Sequence, residues 1–353
     1  MKVVFDNDAS SDDIIALIYL AAHPKVTLEA ITVTGTGEAH GRQGAQNMAD
    51  VCTLLGLAQL PIAYGRDTPL SASGKPFPAA LRSAVDAILT DRDVPKNPNP
   101  NLSDNAVALI KNCIEKNDEK ITLVATGPLT NIAELITHYP HLNDKIENIV
   151  VMGGAVRVPG NIQALVPESD NTSAEWNIYA DPAAAEIVFS SGLPVTLVPL
   201  DATNQVPMTK EFYDSLSEQT RPELRLIYQL LTVFVGFLGM ELFLSEFYLW
   251  DPLAAMICCD PEIAVMERMS LSVNPETAGT EEVCGPHKVN VAAEILNPET
   301  VLQRLIEKIK SGLRSGGEKN YSGYFFKKPA DNRLGNDSAV REEKDETSGL
   351  RLE

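Results

Sequence analysis

The sequence predicts an α/β protein with one open, mainly parallel β-sheet that carries helices on both faces. Short runs rich in Val, Ile and Leu alternate with helical patterns along most of the 353 residues. That alternation is typical of parallel strands joined by helical crossovers. The strand candidates also end in polar or Gly-rich residues, and ligands bind in such sheets beyond the carboxyl ends of the strands.

The individual elements follow from hydrophobic periodicity and from helix start and stop signals. In chain order they are a strand ending at Asp6, a helix over 14–20, a strand over 26–34, a helix over 44–55, a strand over 121–125, a helix over 128–139, a strand over 146–152, a helix from Asp181-Pro182 to Gly192, a strand over 195–200, two or three helices over 209–258, strands over 263–273 and 289–295, and a helix over 298–312. These elements fit a single domain over residues 1–314, with a helical insertion around 209–258.

Two segments are predicted to lack regular structure. The stretch 91–101 is rich in Pro and Asn, which indicates a surface loop. Residues 315–353 are rich in Gly, Lys, Asp and Glu with few aliphatic side chains, which predicts a flexible C-terminal tail.

Composition narrows the functional classes. With 48 acidic and 29 basic residues the net charge is −19, which argues against a nucleic acid or an anionic membrane as partner. The apolar stretch 224–244 is interrupted by Arg225, Gln229 and Glu241, so it indicates a buried core helix and not a membrane span. Five cysteines without a Cys-x-x-Cys motif indicate reduced thiols. No signal-peptide pattern precedes the first strand, so we expect a cytoplasmic protein.

The first chemical signal is a turn crowded with acid. Asp6, Asp8, Asp12 and Asp13 lie between the first apolar run and a helix. Carboxylates this close repel each other unless a hard cation such as calcium or magnesium lies among their oxygens. Asp12 and Asp13 would point about 100° apart at a helix start, so that one can bind a metal while the other faces a substrate hydroxyl. A solvated acidic turn that caps the helix is the alternative.

Two later motifs add polar groups. Trp250-Asp251-Pro252 predicts a helix start with Asp251 as the N-cap, a role compatible with metal binding. Glu175-Trp176-Asn177 ends a long polar loop, and its carboxylate and amide can hydrogen-bond sugar hydroxyls in two directions. Taken alone, the tripeptide is equally typical of an ordinary loop.

Together these motifs resemble the inosine-uridine nucleoside hydrolase family, the nucleoside N-ribohydrolases. The family's N-terminal Asp-x-Asp-Pro-Gly-x-Asp-Asp is similar to residues 6–13. Four further segments match in the same order, namely Thr126-Gly127-Pro128-Leu129-Thr130-Asn131-Ile132-Ala133, Met152-Gly153-Gly154, Glu175-Trp176-Asn177 with Asp181-Pro182, and Trp250-Asp251-Pro252. The resemblance covers the chain from Met1 to about residue 312.

The resemblance implies a role for each matched residue. Calcium would be held by Asp8, Asp13, Asp251 and the main-chain carbonyl of Thr126, and Asp8 would act as general base on a calcium-bound water. The ribose hydroxyls would be bound by Asp12, Asn161, Glu175 and Asn177, with Met152 lining the sugar pocket. Cleaving an N-glycosidic bond builds positive charge on the sugar ring, which carboxylates stabilise. The implied ligand is a small-molecule ribonucleoside, and the implied assembly is a homodimer or homotetramer.

Three positions depart from the family pattern. Pro-Gly is replaced by Ala9-Ser10, so the turn must form without the φ preferences of those two residues. Glu38 stands where members often have a sugar-binding Asn, which would add an acid to the substrate pocket. Trp250 stands where many members have a His that protonates the leaving base.

Trp250 resembles the purine-preferring branch of the family, in which an aromatic ring stacks on the base. Stacking is worth about 1–3 kcal/mol per base and predicts a preference for purine nucleosides, although Trp250 could also simply pack in the core. Phe77 is the candidate for a second stacking ring. None of the five histidines matches a leaving-group position. Each is typical of a surface or hydrogen-bonded histidine, and His40 fits that interpretation least well.

Three alternatives remain open from the sequence. A haloacid dehalogenase-type phosphatase also begins with an apolar strand and Asp-x-Asp, but Ser10-Ser11-Asp12-Asp13 does not fit its pattern. A catalytically impaired ribonucleoside-binding protein of the same fold is consistent with the changes at Ala9, Glu38 and Trp250. A hydrolase of another N-riboside, such as a nicotinamide riboside, is the third.

Overall fold

A computed structural model describes residues 1–313 and builds them around a ten-stranded sheet. The strands are β1 (Lys2–Asn7), β2 (Thr27–Val33), β3 (Ile62–Tyr64), β4 (Leu102–Ser103), β5 (Ile121–Ala125), β6 (Ile146–Met152), β7 (Val195–Val198), β8 (Ala264–Val273), β9 (Thr280–Val283) and β10 (Val289–Ile295). The predicted tail over 315–353 lies outside the described residues.

The sheet is mainly parallel, as predicted. Its strand order is β4-β3-β2-β1-β5-β6-β7-β10-β8-β9. Every neighbouring pair from β4 to β10 is parallel, and only the β10–β8 and β8–β9 pairs are antiparallel. The first strand of the chain therefore lies near the middle of the sheet, between β2 and β5.

Fourteen α-helices are seen in residues 1–313. They are α1 (Ser11–Ala22), α2 (Gly41–Leu54), α3 (Ala79–Asp86), α4 (Ala106–Lys116), α5 (Thr130–His138), α6 (Ile162–Leu165), α7 (Trp176–Ala180), α8 (Pro182–Ser190), α9 (Leu200–Thr203), α10 (Lys210–Ser217), α11 (Pro222–Leu238), α12 (Met240–Glu246), α13 (Asp251–Cys259) and α14 (Pro298–Gly312). Short 3₁₀ turns cover Pro140–Lys145 and Pro261–Ile263.

Two apolar cores lie on opposite faces of the sheet. Because side chains alternate along a strand, Val3 and Phe5 of β1 enter one core and Val4 enters the other. The first core is closed by α1, α2, α11, α13 and α14, and the second by α4, α5 and α8. This two-sided burial explains why β1 is apolar at consecutive positions.

The segment between β2 and β5 contains elements that the sequence analysis did not predict, namely β3, β4, α3 and α4. The two strands have three and two residues, too few for a periodic signal. In α4, by contrast, the buried residues Ala106, Ile110, Cys113 and Ile114 recur at helical spacing. The predicted loop at 91–101 has no helix or strand.

The prediction of one buried helix over 224–244 was wrong. Gly239 adopts φ +80° and divides the segment into α11 and α12, a backbone conformation that glycine adopts without steric cost. Phe237 is 90% exposed, so the segment is not uniformly buried either. Within residues 1–313, no single helix has the length and hydropathy of a membrane span. The pair α11 and α12 passes that test together but is bent by 111°.

Candidate active site

The predicted site residues converge at the carboxyl edge of the central strands. Asp8 follows β1, Glu38 follows β2, Thr126 follows β5 and Met152 ends β6. Since these four strands are adjacent and parallel, their carboxyl ends meet at one edge of the sheet. The fifth contribution, Asp251, is the first residue of α13.

The turn after β1 forms by a route that differs from the Pro-Gly of the family pattern. Ala9 adopts φ +64°, and its N–H donates to Asn7 Oδ1 at 3.0 Å. A left-handed non-Gly residue costs about 1–2 kcal/mol. Ser10 then caps α1, because its hydroxyl accepts from the Asp13 N–H while Asp13 Oδ2 accepts from the Ser10 N–H at 2.8 Å. This capping box holds the Asp13 carboxylate at the helix start.

Asp8 is held between two loops that approach it closely. A Cβ at Gly37 would lie 2.2 Å from the Asp8 carboxylate, and one at Gly127 would lie 2.9 Å from Asp8 Cβ. The Glu38 N–H donates to Asp8 Oδ2 at 3.1 Å, and the Asp8 N–H donates to Asp13 Oδ2 at 3.3 Å. The two glycines therefore provide the space that this buried carboxylate occupies.

Thr126 contributes both its hydroxyl and its carbonyl. The hydroxyl donates to Asp13 Oδ1, a contact that the sequence analysis did not predict. The carbonyl accepts from Asn177 Nδ2 at 3.0 Å, and the same Nδ2 lies 3.2 Å from the Met152 carbonyl oxygen. A carbonyl oxygen has two lone pairs, so the Thr126 carbonyl retains one for a cation.

Glu175 and Asn161 are linked around the start of α7. Glu175 accepts from the Gly154 N–H at 2.9 Å and from the N–H groups of Asn177 and Ile178 at 2.9 and 3.2 Å. Asn161 Oδ1 accepts from the Trp176 N–H at 3.1 Å. These bonds fix Glu175 as the N-cap of α7 and bring all three polar side chains of the late loop to the same edge of the sheet.

Asp251 does not cap α13, which corrects one sequence prediction. The cap position is Trp250, and no side chain makes a cap hydrogen bond there. The Asp251 carboxyl contacts those of Asp12 and Asp13 instead. The Trp250 ring is partly buried, and the rings of Phe247 and Tyr248 meet it edge-on at centroid distances of 4.9 and 6.0 Å.

The acids repel one another and are poorly solvated. Burial, followed by the charges of neighbouring carboxylates, raises the pKa values of Asp8, Glu38 and Asp251 well above their ordinary range. The same causes raise the pKa of Asp12 to about 6. Burial also raises the pKa of Glu175. Within residues 1–313, the main charges that act on these five groups come from other carboxylates and none from a basic side chain.

This donor set fits a hard cation. Carboxylate oxygens and a main-chain carbonyl are the ligands that calcium takes, and a cation would remove the repulsion among the carboxyls. Within residues 1–313, no three His, Cys, Asp or Glu side chains are already arranged as a metal site. Asp13 nevertheless lies beside Asp8 and Asp251, which places the three carboxyls that would hold calcium close together.

Two sequence candidates lie elsewhere. Phe77 is buried and stacks on Trp176 at a ring-centroid distance of 4.7 Å, so it is not the ring that would face Trp250. His40 lies on the surface, where its Nδ1 is 2.7 Å from Asp86 Oδ2. The position of each ring follows from tertiary packing, which local sequence does not determine.

Several residues that support the site were not predicted as such. The buried Arg82 donates from Nη2 to the carbonyls of Gly35 and Ala39, at 2.5 and 3.0 Å. Asp6 accepts from Thr32 Oγ1 and Asn131 Nδ2, at 2.6 and 2.8 Å, and burial raises its pKa to about 7. The sequence held a signal for Ser10, since Ser-x-x-Asp is a capping-box pattern, but none for Arg82.

Comparisons with known proteins agree with this geometry. The family model described as inosine-uridine preferring nucleoside hydrolase matches residues 3–303. The pyrimidine-specific ribonucleoside hydrolase RihA of Shewanella oneidensis is 35% identical over 258 residues, which cover 68% of this chain and 74% of that protein.

Solved structures show the same fold. The plant nucleoside hydrolase PpNRh1 superposes with a TM-score of 0.77 at 24% identity, over 87% of this chain and 98% of that one. The purine-preferring ribonucleoside hydrolase from Gardnerella vaginalis superposes with a TM-score of 0.71 at 24% identity, over 89% and 98%. At these identities the likeness concerns the fold alone.

Proposed function

Because the chain belongs to the inosine-uridine preferring nucleoside hydrolase family, we propose that its acidic site hydrolyses ribonucleosides to free base and ribose with the help of bound calcium. The enzyme class is that of the family, a glycosidase acting on N-glycosyl bonds. The observation that carries the calcium assignment is the group of the buried carboxyls of Asp8, Asp13 and Asp251 with the partly buried carboxyl of Asp12, beside the Thr126 carbonyl and without a basic side chain of residues 1–313 among the charges that act most strongly on Asp8, Asp12 and Asp251.

The residues divide into three roles in this proposal. Asp8, Asp13, Asp251 and the Thr126 carbonyl would hold calcium, which when bound supplies positive charge that makes water easier to deprotonate. Asp8 accepts the proton of the attacking water as general base. The surrounding carboxylates stabilise the positive charge that builds on the ribose ring as the bond to the base breaks.

The ribose is bound by the remaining polar groups. Asp12, Asn161, Glu175 and Asn177 are proposed to bind its hydroxyls, and Met152 to line the pocket. Glu175 and Asn177 are fixed by backbone hydrogen bonds, so they present their free lone pairs in set directions. Holding all hydroxyls at once orients the sugar for attack.

We propose a preference for purine nucleosides, with Trp250 stacking on the base. The support is its position directly before Asp251 and its partial exposure. The curated relative from Shewanella oneidensis is pyrimidine-specific, so the ranking of purine and pyrimidine substrates is a direct test of Trp250.

The decisive experiment measures ribose release from inosine, adenosine, guanosine, uridine and cytidine, first with calcium and then with a chelator. Calcium-dependent release that is fastest with purines is the expected result. Release that persists after exhaustive chelation would remove calcium from the proposal. Binding without release of any ribose would favour an impaired nucleoside-binding protein.

Glu38 favours one further substrate class, ribosides whose base carries a positive charge. The charges of Asp12, Asp13 and Glu175 act on the Glu38 carboxyl, which accepts no hydrogen bond among residues 1–313. A pyridinium riboside such as nicotinamide riboside would bring positive charge to this acid. Adding it to the panel with Glu38→Gln tests the idea, because the substitution should slow the cationic substrate more than inosine.

A homodimer or homotetramer is proposed from the family resemblance. Val233, Phe237, Leu238 and Leu242 are exposed apolar side chains on α11 and α12, which an interface could cover. Light scattering of the purified protein gives the number of subunits directly. The single catalytic domain over 1–314 and the cytoplasmic location stay predictions.

A further inference from the structure

A chain of buried hydrogen bonds runs beside the acidic cluster. Thr36 Oγ1 lies 2.8 Å from Thr34 Oγ1 and 2.8 Å from Thr130 Oγ1. Thr130 Oγ1 in turn donates to Asp181 Oδ2 at 2.7 Å. All four side chains are buried. We call Thr34, Thr36, Thr130 and Asp181 the hydroxyl chain.

The hydroxyl chain has one direction. Asp181 Oδ2 also accepts the Leu70 N–H at 3.0 Å, and Asp181 Oδ1 accepts the Ala184 N–H at 3.2 Å. Because backbone N–H groups only donate, Asp181 is the acceptor end and the Thr130 hydroxyl donates to it. The Thr130 oxygen then accepts from Thr36, so each hydroxyl proton has an assigned place.

The other end of the hydroxyl chain holds the loop that contacts Asp8. Thr34 and Thr36 belong to residues 34–39, which follow β2. From this loop the Glu38 N–H donates to Asp8 Oδ2, and the Ala39 N–H donates to the Asp8 carbonyl oxygen, both at 3.1 Å. Gly37 leaves no room between the loop and the Asp8 carboxylate. A displacement of the loop therefore displaces that carboxylate.

We propose that Thr36, Thr130 and Asp181 are positioning residues for the reaction, because the hydroxyl chain fixes loop 34–39 where it places the Asp8 carboxylate. This inference rests on the proposed function, in which Asp8 is the general base. Asp181 also caps α8 and binds the Leu70 N–H. The hydroxyl chain thus ties loop 34–39 to the start of α5, the start of α8 and the segment around Leu70.

The first test is Thr130→Val, which keeps the shape of the side chain and removes its hydroxyl. Thr36 loses its acceptor and Asp181 loses a buried donor, so we expect kcat to fall by about ten- to a hundredfold, in line with misplacement of a catalytic group by up to 1 Å. KM for inosine should change less than kcat, because within residues 1–313 the hydrogen bonds of the proposed ribose ligands Asp12 and Glu175 go to residues outside the hydroxyl chain.

Two variants control for a merely structural effect. Thr130→Ser retains the hydroxyl and should restore most of kcat. Thr137→Val, on the same helix α5, removes a hydroxyl that donates only to the Ala133 carbonyl at 2.7 Å and should leave kcat unchanged. If kcat of Thr130→Ser is as low as that of Thr130→Val, altered packing causes the loss, and the proposal is overturned.

A second measurement does not depend on turnover. Amide hydrogen exchange of a peptide spanning 34–39 should be faster in Thr130→Val and in Thr36→Val, with exchange in α14 unchanged. If the wild-type protein releases no ribose, the proposed function fails and this exchange alone decides the positioning role. A folded Thr130→Val protein with unchanged kcat and unchanged exchange at 34–39 refutes it. If Thr130→Val does not fold, the same comparison is made at position 36, with Thr36→Val to remove the hydroxyl and Thr36→Ser to retain it.

Discussion

At the residue scale, the proposed chemistry depends on Asp8, a buried carboxylate with other carboxylates around it. Two glycines make room for it and one backbone N–H bonds to it. Its raised pKa follows from burial and from Asp13 and Glu38. If Asp8 is the general base, the surrounding backbone orients its carboxylate. Replacing that carboxylate with a group of the same size should therefore have a large effect on the rate.

Asp8→Asn tests the base directly. Removing a general base typically costs about 10²–10⁴-fold in rate, so we expect kcat for inosine to fall by that amount. The thermal midpoint should not fall, because the substitution relieves repulsion in the acidic cluster. Asp214→Asn, which removes an exposed carboxylate paired with Lys210, is the control and should retain activity. Near-normal turnover in Asp8→Asn would exclude Asp8 as the base.

Trp250→Ala tests base recognition. If the ring stacks on the base, kcat/KM for inosine and guanosine should fall more than that for uridine and cytidine, since stacking is worth about 1–3 kcal/mol per base. If Trp250 only packs against Phe247 and Tyr248, the losses should be equal across the panel. Trp250→Phe keeps an aromatic face and should recover part of any purine-specific loss.

At the element scale, hydrogen bonds from Arg82 of α3 hold loop 34–39 in place, and we call this contact the Arg82 brace. Arg82 donates to two of the loop's carbonyls, on Gly35 and Ala39. Both bonds come from Nη2, whose two N–H groups are fixed in the guanidinium plane, whereas the N–H groups of a lysine ammonium are not held in that plane. The helix that carries Arg82 has only eight residues and buries little else, so its main structural contribution is this brace.

Arg82→Lys should therefore destabilise the protein by about 1.5–3 kcal/mol, the value of a hydrogen bond to a charged group, as measured by chemical denaturation. Arg66→Lys is the matched control, because Arg66 is exposed and paired with Glu134 on the surface, where substitutions usually stay within about 0.5 kcal/mol. Equal stability of the two variants would show that the brace contributes nothing.

Most long, strongly patterned elements were predictable from the sequence, although α4 was missed despite its helical spacing, and short or interrupted elements were not predicted. The strands β1, β5 and β6 each contain a run of apolar residues and lie where they were expected. The two-residue β4 has no period of its own, and the break at Gly239 was hidden inside one apolar run. The spacing of apolar residues in the sequence predicts buried strands better than it predicts where the backbone turns.

At the scale of the whole molecule, the site joins segments that are far apart in the sequence. The acids of the α1 turn meet Asp251 at the start of α13, and α1 packs along α13 in the core. The motif residues could be named from the sequence because the family resemblance orders them. The partners Arg82, Thr36 and Thr130 could not, because each acts through a contact made only in the folded chain.

Calcium should therefore stabilise the whole fold. A ligand that binds only the native state adds about 2.7 kcal/mol at a concentration 100 times its Kd, so calcium should raise the thermal midpoint by several degrees and a chelator should reverse this. Asp13→Asn should reduce the rise in thermal midpoint that calcium causes. The thermal midpoint measured in chelator should change less than the midpoint measured in calcium. A midpoint unaffected by calcium, in a protein that is folded and monodisperse, would contradict the proposed cation site.

The central place of β1 also affects how the protein is made. Asp251 is synthesised 243 positions after Asp8. At about 5–20 residues per second, that interval is roughly 12–50 s. During that interval the nascent chain lacks Asp251, one of the four groups proposed to hold calcium. The proposed site is complete only when α13 has emerged and docked, so a truncated product that lacks α13 would have the proposed ribose-binding acids but an incomplete calcium site.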